Sequence, residues 1–133
     1  SRKAYLIQVG RELAGFILLN KITAAIDTQW NMGGFFIIAK FQGKGIGKKI
    51  AHNLWDTHPG KWEIPVILEN IPAINFWKTA ITEYTNGVFT QEIMNVDYDL
   101  HQSKRLIFSF DTLNKVVCKD KKYRLNTCGC RQA

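Results

Sequence analysis

Apolar and polar residues alternate along the chain with two different periods, which predict two helices and six strands. Apolar residues recur every three or four positions near residues 45–57 and over residues 71–81, a spacing typical of amphipathic helices. Blocks rich in aromatic and branched residues, bounded by turn-forming residues, predict strands. These strands are Tyr5–Val9, Leu13–Asn20, Met32–Ala39, Trp62–Leu68, Ile81–Asp97 and Lys104–Phe110. The order β-β-β-α-β-α-β-β predicts a mixed α/β (α+β) domain.

Three glycines lie between the predicted central strand and the first helix, in the segment Gln42-Gly43-Lys44-Gly45-Ile46-Gly47. Glycines let backbone N–H groups approach a ligand, and the first helical turn carries N–H groups without intrahelical partners. The partial positive charge at that end favours an anion by about 0.3–1 kcal/mol, and by up to about 2 kcal/mol where it is partly buried. Lys44, Lys48 and Lys49 add cations around the same point. The segment therefore predicts a phosphate or pyrophosphate site.

Spacing separates three kinds of glycine-rich phosphate loop. For a P-loop, the distance from Gly43 to Gly47-Lys48 is one residue short, and Lys49 stands where a hydroxyl is needed. A dinucleotide-binding loop needs Gly-x-Gly-x-x-Gly, whereas the three glycines here alternate. The segment instead resembles, at every position, the Gln/Arg-x-x-Gly-x-Gly/Ala pyrophosphate loop of the GNAT acetyltransferases. A plain turn between a strand and a helix is the alternative.

A second segment, Asn70 to Trp77, resembles the other GNAT signature, Asn-x-x-Ala-x-x-Phe-aromatic. Asn70 is expected to cap the second helix, and Pro72 fits the first helical turn. Pro59–Glu63 and Glu83–Gly87 resemble Pro-Gly-Lys-Trp-Glu and Glu-Tyr-Thr-Asn-Gly of small bacterial GNAT proteins of predicted function. The resemblance covers roughly residues 4–111 and indicates a GNAT-type acetyltransferase domain.

The resemblance implies a fold and a cofactor site. The fold is a mixed, mostly antiparallel sheet with helices on its faces, in which two central strands splay apart and admit the pantetheine arm of acetyl-CoA. Near such a split Pro65 is tolerated inside a strand, since some residues there have no ladder partner, and the backbone of residues 37–39 can pair with the ligand's amides. The implied cofactor-binding residues are Ile37, Ile38, Gln42, Gly43, Lys44, Gly45, Ile46, Gly47, Lys48, Asn70 and Phe76.

The resemblance also implies an acetyl-CoA-dependent N-acetyltransferase, in which an amine of a small molecule or peptide attacks the thioester directly in a ternary complex. Many relatives carry a Glu before two apolar residues of the central strand and a Tyr late in the second signature. Here those positions are Gly33-Gly34 and Trp77, so the usual base and acid are absent. The remaining candidates are Glu63, Glu69, Asp27 and Tyr84. A non-catalytic CoA-binding or protein-interaction module of the same fold is therefore the alternative.

The relatives begin with a strand and two helices before the hairpin, whereas here the hairpin begins near residue 5. We therefore expect either a fragment or a shortened domain that a partner completes. Residues 1–112 are expected to form the domain, and residues 113–133 a basic polar tail outside it. Without the helices an apolar face would be exposed, and such faces often mark interfaces, so a homodimer is expected.

Charge, hydropathy and cysteine content bear on whether the protein binds nucleic acid, spans a membrane or holds zinc. Residues 113–133 hold six Lys or Arg and one Asp, which is +5 of the net charge of +7, so the rest of the chain shows no basic stripe and nucleic-acid binding is not favoured. No apolar run is long enough to span a membrane. The odd set of Cys118, Cys128 and Cys130 predicts reduced thiols in the cytoplasm, and without a nearby histidine it does not predict a zinc site.

Overall fold

The computed structural model describes residues 2–20, 27–97 and 99–115. These residues form six strands and two α-helices in the predicted order, with short 3-10 turns at Ala39–Phe41 and Thr112–Asn114. The elements are β1 (Arg2–Val9), β2 (Glu12–Asn20), β3 (Trp30–Ile37), α1 (Ile46–Thr57), β4 (Lys61–Ile67), α2 (Ile71–Thr85), β5 (Thr90–Asn95) and β6 (Lys104–Asp111). The three cysteines and most of the basic tail lie outside the described residues.

All six strands belong to one sheet, in the order β1-β2-β3-β4-β6-β5. Strands β3 and β4 are parallel, because α1 connects them as a crossover, and the other neighbouring pairs are antiparallel. The predicted mixed and mostly antiparallel sheet is therefore confirmed. Among the described residues, no helix combines the length and the apolar character that a membrane crossing requires.

Both helices pack against the same face of the sheet. On α1, Trp55 is fully buried, and its ring centroid lies 4.7 Å from that of Phe110 on β6 and 6.5 Å from that of Trp62 on β4. On α2, the ring of Trp77 lies 4.9 Å from that of Phe35 on β3. Burying a large apolar side chain contributes about 1.5–3 kcal/mol. These contacts therefore hold both helices over the middle of the sheet.

The end of α2 is where the prediction from the sequence is wrong. Residues 81–97 were expected to form one strand, but α2 continues to Thr85 and β5 begins only at Thr90. The helix ends where Asn86 adopts a left-handed conformation, with φ of 55°, and Gly87 N donates to Thr82 O at 3.2 Å. The Asn-Gly pair, which suggested a turn within a strand, is a helix C-cap.

A row of apolar side chains crosses the opposite face of β1, β2 and β3. Leu6 pairs with Phe16, and Phe16 pairs with Phe36, so the three side chains lie side by side. Leu6 is 74% exposed, and the rings of Phe16 and Phe36 stack with their centroids 5.7 Å apart. We call this set the Leu6–Phe16–Phe36 row.

Gly15 is the position on β2 where a side chain would disturb the sheet most. A Cβ atom there would overlap the carbonyl oxygen of Phe36 and lie 3.0 Å from its carbonyl carbon. Because the obstacle is backbone of the neighbouring strand, we expect Gly15→Ala to lower the free energy of unfolding by about 3 kcal/mol or more. Denaturant unfolding measures this change.

Gly34→Ala is the matched control on β3. A Cβ atom at Gly34 would meet only the Leu18 side chain, at 3.4 Å or more. We expect that substitution to change the free energy of unfolding by less than about 1 kcal/mol. Equal effects of the two substitutions would contradict this description of the β2–β3 contact.

Candidate functional site

The glycine-rich loop forms an open cradle at the N-terminus of α1. Gly43 and Gly45 both have φ of 77°, and Gly45 is the N-cap of the helix. The first intrahelical bond runs from Lys49 N to Gly45 O at 3.2 Å, so the N–H groups of the preceding helical residues point out of the helix end. A Cβ atom on Gly43 or Gly45 would meet no atom within 4 Å. At these two glycines the loop is therefore not covered by other atoms of the described fold.

The polar side chains of the loop have different surroundings. Gln42 Nε2 donates to Ile37 O at 2.7 Å, which closes the loop onto the end of β3. Lys48 Nζ forms an ion pair with Glu83 Oε1 on α2 at 2.8 Å. The side chains of Lys44 and Lys49 are exposed beside the loop. Gln42 therefore shapes the loop, and Lys44 and Lys49 supply cations at its rim.

Gly47, Ile37 and Phe76, which were predicted separately as cofactor residues, lie together. A Cβ atom on Gly47 would be 3.2 Å from the Phe76 ring and 3.7 Å from Ile37 Cγ1. The absence of a side chain at Gly47 thus lets the first turn of α1 approach α2 and the end of β3 closely. Ile46 half-buries its side chain in the same turn. Together they form an apolar wall below the loop.

Strands β3 and β4 pair only at their beginnings. The paired residues are Trp30 with Trp62 and Asn31 with Glu63, although both strands continue for several residues. Beyond this fork the strands separate and leave a cleft of about 1160 Å³. The splayed pair of central strands is therefore confirmed.

The cleft is lined from both faces of the sheet. Phe35 and Trp77 line it on the face that carries the helices. Glu63 and Arg105 line it as well, and Glu63 alternates along β4 with Trp62, which faces the helices, so Glu63 points to the opposite face. The cleft therefore crosses the sheet, from the side of the glycine-rich loop and α2 to the side of Glu63.

Main-chain N–H and C=O groups point alternately to the two neighbouring strands along β3. Ile38 N donates to Ala14 O on β2 at 2.6 Å. The preceding residue, Ile37, therefore turns its N–H and C=O groups away from β2, to the side of β4. In the stretch of residues 37–39, the Ile37 carbonyl accepts the hydrogen bond from Gln42, and the N–H of Ile38 is bonded within the sheet.

On the other edge of the cleft, Pro65 occupies a position where it breaks no ladder bond. Lys61 N donates to Gln29 Oε1 at 2.8 Å, and Lys61 O accepts from Gln29 N at 2.9 Å, so Lys61 faces the β3 side. Pro65 lies four residues further along the strand and has the same orientation. Its missing N–H therefore faces the cleft, and the pairing of β4 with β6 is intact through this point.

A line of polar side chains crosses the sheet at the fork. Glu63 is only 2% exposed, and its Oε2 accepts a hydrogen bond from Asn31 Nδ2 at 2.6 Å. Asn31 Oδ1 in turn accepts from Asn20 Nδ2 on β2 at 3.2 Å. All three residues line the cleft. We call them the Asn20–Asn31–Glu63 chain, and it places a buried carboxylate at the cleft wall.

A buried guanidinium lies on the β6 side of the same cleft. Arg105 is 7% exposed, and its Nη2 donates to Asp99 Oδ2 at 3.0 Å. Its Nη1 donates to the carbonyl of Gln102. A hydrogen bond from the Gln102 N–H and one from Arg105 lower the pKa of Asp99. The buried cation is thus balanced by an adjacent carboxylate.

The other predicted acid–base candidates do not line the cleft. Glu69 is exposed in the turn between β4 and α2. Asp27 pairs with Lys61 Nζ at 2.7 Å, and that partner lowers the pKa of Asp27. Tyr84 donates its hydroxyl to Asp56 Oδ1 at 2.7 Å, and burial with this hydrogen bond raises its pKa above the usual value. Of the four candidates, Glu63 is therefore the one in the cleft.

Asn70 has the role in α2 that the sequence predicts. Its side-chain oxygen accepts from Ala73 N at 3.3 Å, and a proline follows in the first turn. Such a cap contributes about 1 kcal/mol to helix stability. Asn70 also lines the cleft, as does Ala73. Its cap therefore fixes the start of α2 at the cleft wall.

The sequence patterns did not identify Asn20 and Asn31 as site residues. The available signal was two asparagines at the ends of predicted apolar strands, positions where a polar residue is usually exposed. Only the register of β2, β3 and β4 brings them into one line with Glu63.

Comparisons with known proteins agree with this geometry. The family model described as "Acetyltransferase (GNAT) family" matches residues 1–80, which is more than half of the chain. The protein therefore belongs to the GNAT acetyltransferase family. No curated protein matches the chain.

Solved structures share the fold at low identity. The microcin C7 self-immunity acetyltransferase MccE, in complex with acetyl-CoA and AMP, is 22% identical, with a TM-score of 0.62 over 83% of this chain and 61% of that one. The ribosomal L7/L12 α-N-protein acetyltransferase RimL, in complex with coenzyme A, is 19% identical, with a TM-score of 0.63 over 83% and 62%. Mutant forms of the spermidine/spermine N-acetyltransferase SpeG from Vibrio cholerae are 15% identical, with a TM-score of 0.62 over 84% and 68%. The chain thus spans about three fifths of the first two proteins.

Proposed function

We propose that the chain is an acetyl-CoA-dependent N-acetyltransferase that transfers the acetyl group to an amine of a small molecule or peptide. The observation that supports this most directly is the route through the sheet. A cradle of main-chain donors lies between β3 and α1, and the cleft between β3 and β4 is lined by Asn70 at the start of α2 and by a buried carboxylate, Glu63. Such a route suits a long cofactor with an anionic end and a reactive thioester at the other.

In this proposal the loop from Gln42 to Lys48 binds the pyrophosphate of acetyl-CoA. The donors are main-chain N–H groups at the start of α1, and the exposed Lys44 and Lys49 add positive charge, whereas Lys48 is paired with Glu83. The pantetheine arm passes Ile37, Ile38 and Phe76 below the loop and enters the cleft, which Asn70 lines. The main-chain N–H of Ile37, which points away from β2, suits a carbonyl of that arm, whereas its C=O accepts from Gln42.

The proposed reaction is direct attack in a ternary complex. The amine nitrogen forms a bond to the thioester carbon, its proton passes to Glu63 directly or through water, and the C–S bond breaks to release the CoA thiolate. The thiolate then takes a proton from solvent, since Trp77 stands where relatives carry a Tyr and has no acidic proton to give. Placing the two substrates together can lower the activation free energy by about 7–11 kcal/mol.

A turnover assay with an amine panel tests the proposal. The panel contains spermidine and a peptide with a free N-terminus, because two structural neighbours act on acceptors of these kinds. We expect amine-dependent release of CoA thiol, with an acetylated amine as product. CoA binding without turnover on any amine would favour the alternative, a non-catalytic CoA-binding or interaction module. The proposal includes a cytoplasmic location, as the cysteine content predicts.

We also propose that two copies associate through the Leu6–Phe16–Phe36 row. Its exposed side chains form one continuous apolar strip. Phe16→Lys would put a charge in the middle of this strip, so we expect it to shift the protein to monomer in sedimentation experiments over a dilution series. Leu100→Lys, at a position 87% exposed elsewhere, is the control that keeps the dimer. Monomer alone for the unmodified protein at all concentrations would rule out this association.

A further inference from the structure

The Asn20–Asn31–Glu63 chain lies where the sheet divides. Asn31 and Glu63 are the last paired residues of β3 and β4 before the cleft opens. Both are buried, at 8% and 2% exposure, and the hydrogen bond between them is short, at 2.6 Å. A buried polar group requires satisfied hydrogen bonds, so each member constrains the next.

The direction of the hydrogen bonds in this chain is fixed by chemistry. An ionised carboxylate can only accept, so Asn31 must present its NH₂ group to Glu63. The amide oxygen of Asn31 then points to β2, where the NH₂ group of Asn20 donates to it at 3.2 Å. The bond from Asn20 therefore supports the orientation of the Asn31 amide that the carboxylate requires, and Asn31 in turn holds the carboxylate.

Gly33 leaves the space that this arrangement needs. It lies at the irregularity in the β2–β3 register. A Cβ atom there would overlap Asn20 Nδ2 and lie 3.1 Å from Asn20 Cγ. Relatives carry a Glu in this part of the strand, according to the sequence resemblance. Here Gly33 leaves room for the Asn20 amide, which is hydrogen-bonded through Asn31 to the Glu63 carboxylate on β4.

We propose that Asn31, oriented by Asn20, is the positioning residue for Glu63 in acetyl transfer. This inference rests on the proposed function, in which Glu63 takes the proton of the amine. Asn31 holds Glu63 Oε2 at the cleft wall, so that the carboxylate keeps one orientation there. A purely structural role, in which the pair only joins β3 to β4, predicts an effect on stability without an effect on proton transfer.

Asn31→Leu removes the donor and keeps a side chain of similar size. With the amine that gives turnover, we expect kcat to fall about 10- to 100-fold, the range for a hydrogen bond to a charged group. KM for acetyl-CoA stays within about twofold, because the loop and the cofactor walls are unchanged.

Thr85→Val is the matched control. Thr85 is 1% exposed and donates its hydroxyl to Ile81 O at 2.8 Å within α2, so the substitution also removes a buried hydrogen bond. We expect it to lower stability while leaving kcat unchanged. A folded Asn31→Leu variant with the unmodified protein's kcat would overturn the inference.

Two further measurements keep the outcomes distinct. Should Asn31→Leu fail to fold, Asn20→Leu is the second variant, and an unchanged kcat there overturns the inference. In protein labelled with ¹³C in its glutamates, the carboxyl chemical shift of Glu63 is expected to change in Asn31→Leu and to stay unchanged in Thr85→Val, even if no amine gives turnover. A Glu63→Gln enzyme as active as the unmodified one would contradict the assigned base. An inactive Glu63→Gln with an unaffected Asn31→Leu would contradict the positioning role alone.

Discussion

Gly45→Glu is expected to weaken CoA binding at least about 100-fold. Gly45 is the N-cap of α1, and a side chain there would extend into the open space in front of the helix end. A carboxylate in that space would occupy the place of the cofactor's phosphates and repel them, and such like-charge contact costs several kcal/mol. It would also take up the partial positive charge of the helix, which is worth about 0.3–2 kcal/mol to an anion. Calorimetric titration of CoA measures the loss.

Gly10→Glu is the control for backbone strain and added charge. Gly10 lies in the turn between β1 and β2 with φ of 63°, close to the 77° of Gly45, and a Cβ atom there also meets nothing within 4 Å. Both substitutions thus place a carboxylate on a left-handed residue in open space. We expect the Gly10 variant to bind CoA as the unmodified protein does. An equal loss of CoA binding in the two variants would mean that backbone strain or added charge causes the loss, and not a carboxylate at the loop.

Glu63→Gln is expected to lower kcat about 100- to 10,000-fold, the usual contribution of a general base. Glutamine has nearly the same shape, and its amide oxygen can accept the hydrogen bond from Asn31 that the carboxylate accepts at 2.6 Å. The substitution therefore removes the ability to take a proton and leaves the fork of the sheet in place. KM for acetyl-CoA is expected to change little. Steady-state kinetics with the amine identified by the panel measures both constants.

Glu69→Gln is the paired control, six residues further along the chain. Glu69 is exposed in the turn before α2 and does not line the cleft. We expect its substitution to leave kcat within about twofold, as surface changes away from a site usually have small effects. If Glu69→Gln lost activity and Glu63→Gln kept it, the base would lie at the exposed turn and the cleft would need a different interpretation.

The parts of the site that depend on local sequence could be predicted. The conformations of Gly43 and Gly45 follow from a residue type that tolerates positive φ, and the cap at Asn70 follows from its position before Pro72. Pro65 is unusual inside a central strand, and the family resemblance implied a split beside it; the edge that Pro65 faces is the cleft.

The parts that depend on register could not be predicted in the same way. Asn31 and Glu63 are 32 positions apart, and only the pairing of β3 with β4 makes them neighbours. The end of α2 was misjudged for a related reason. Thr85 belongs to the helix because it packs inside the fold at 1% exposure, whereas its β-branched side chain favours a strand in isolation.

The central claim is that the cradle and the divided sheet bind acetyl-CoA. Calorimetric titration of the unmodified protein with acetyl-CoA and with CoA, using ATP as the control ligand, tests it most directly. We expect both CoA ligands to bind in the micromolar range with one site per chain, and ATP to bind far more weakly because it has no arm to fill the cleft. Absence of binding by both CoA ligands, or binding of ATP equal to theirs, would contradict the account.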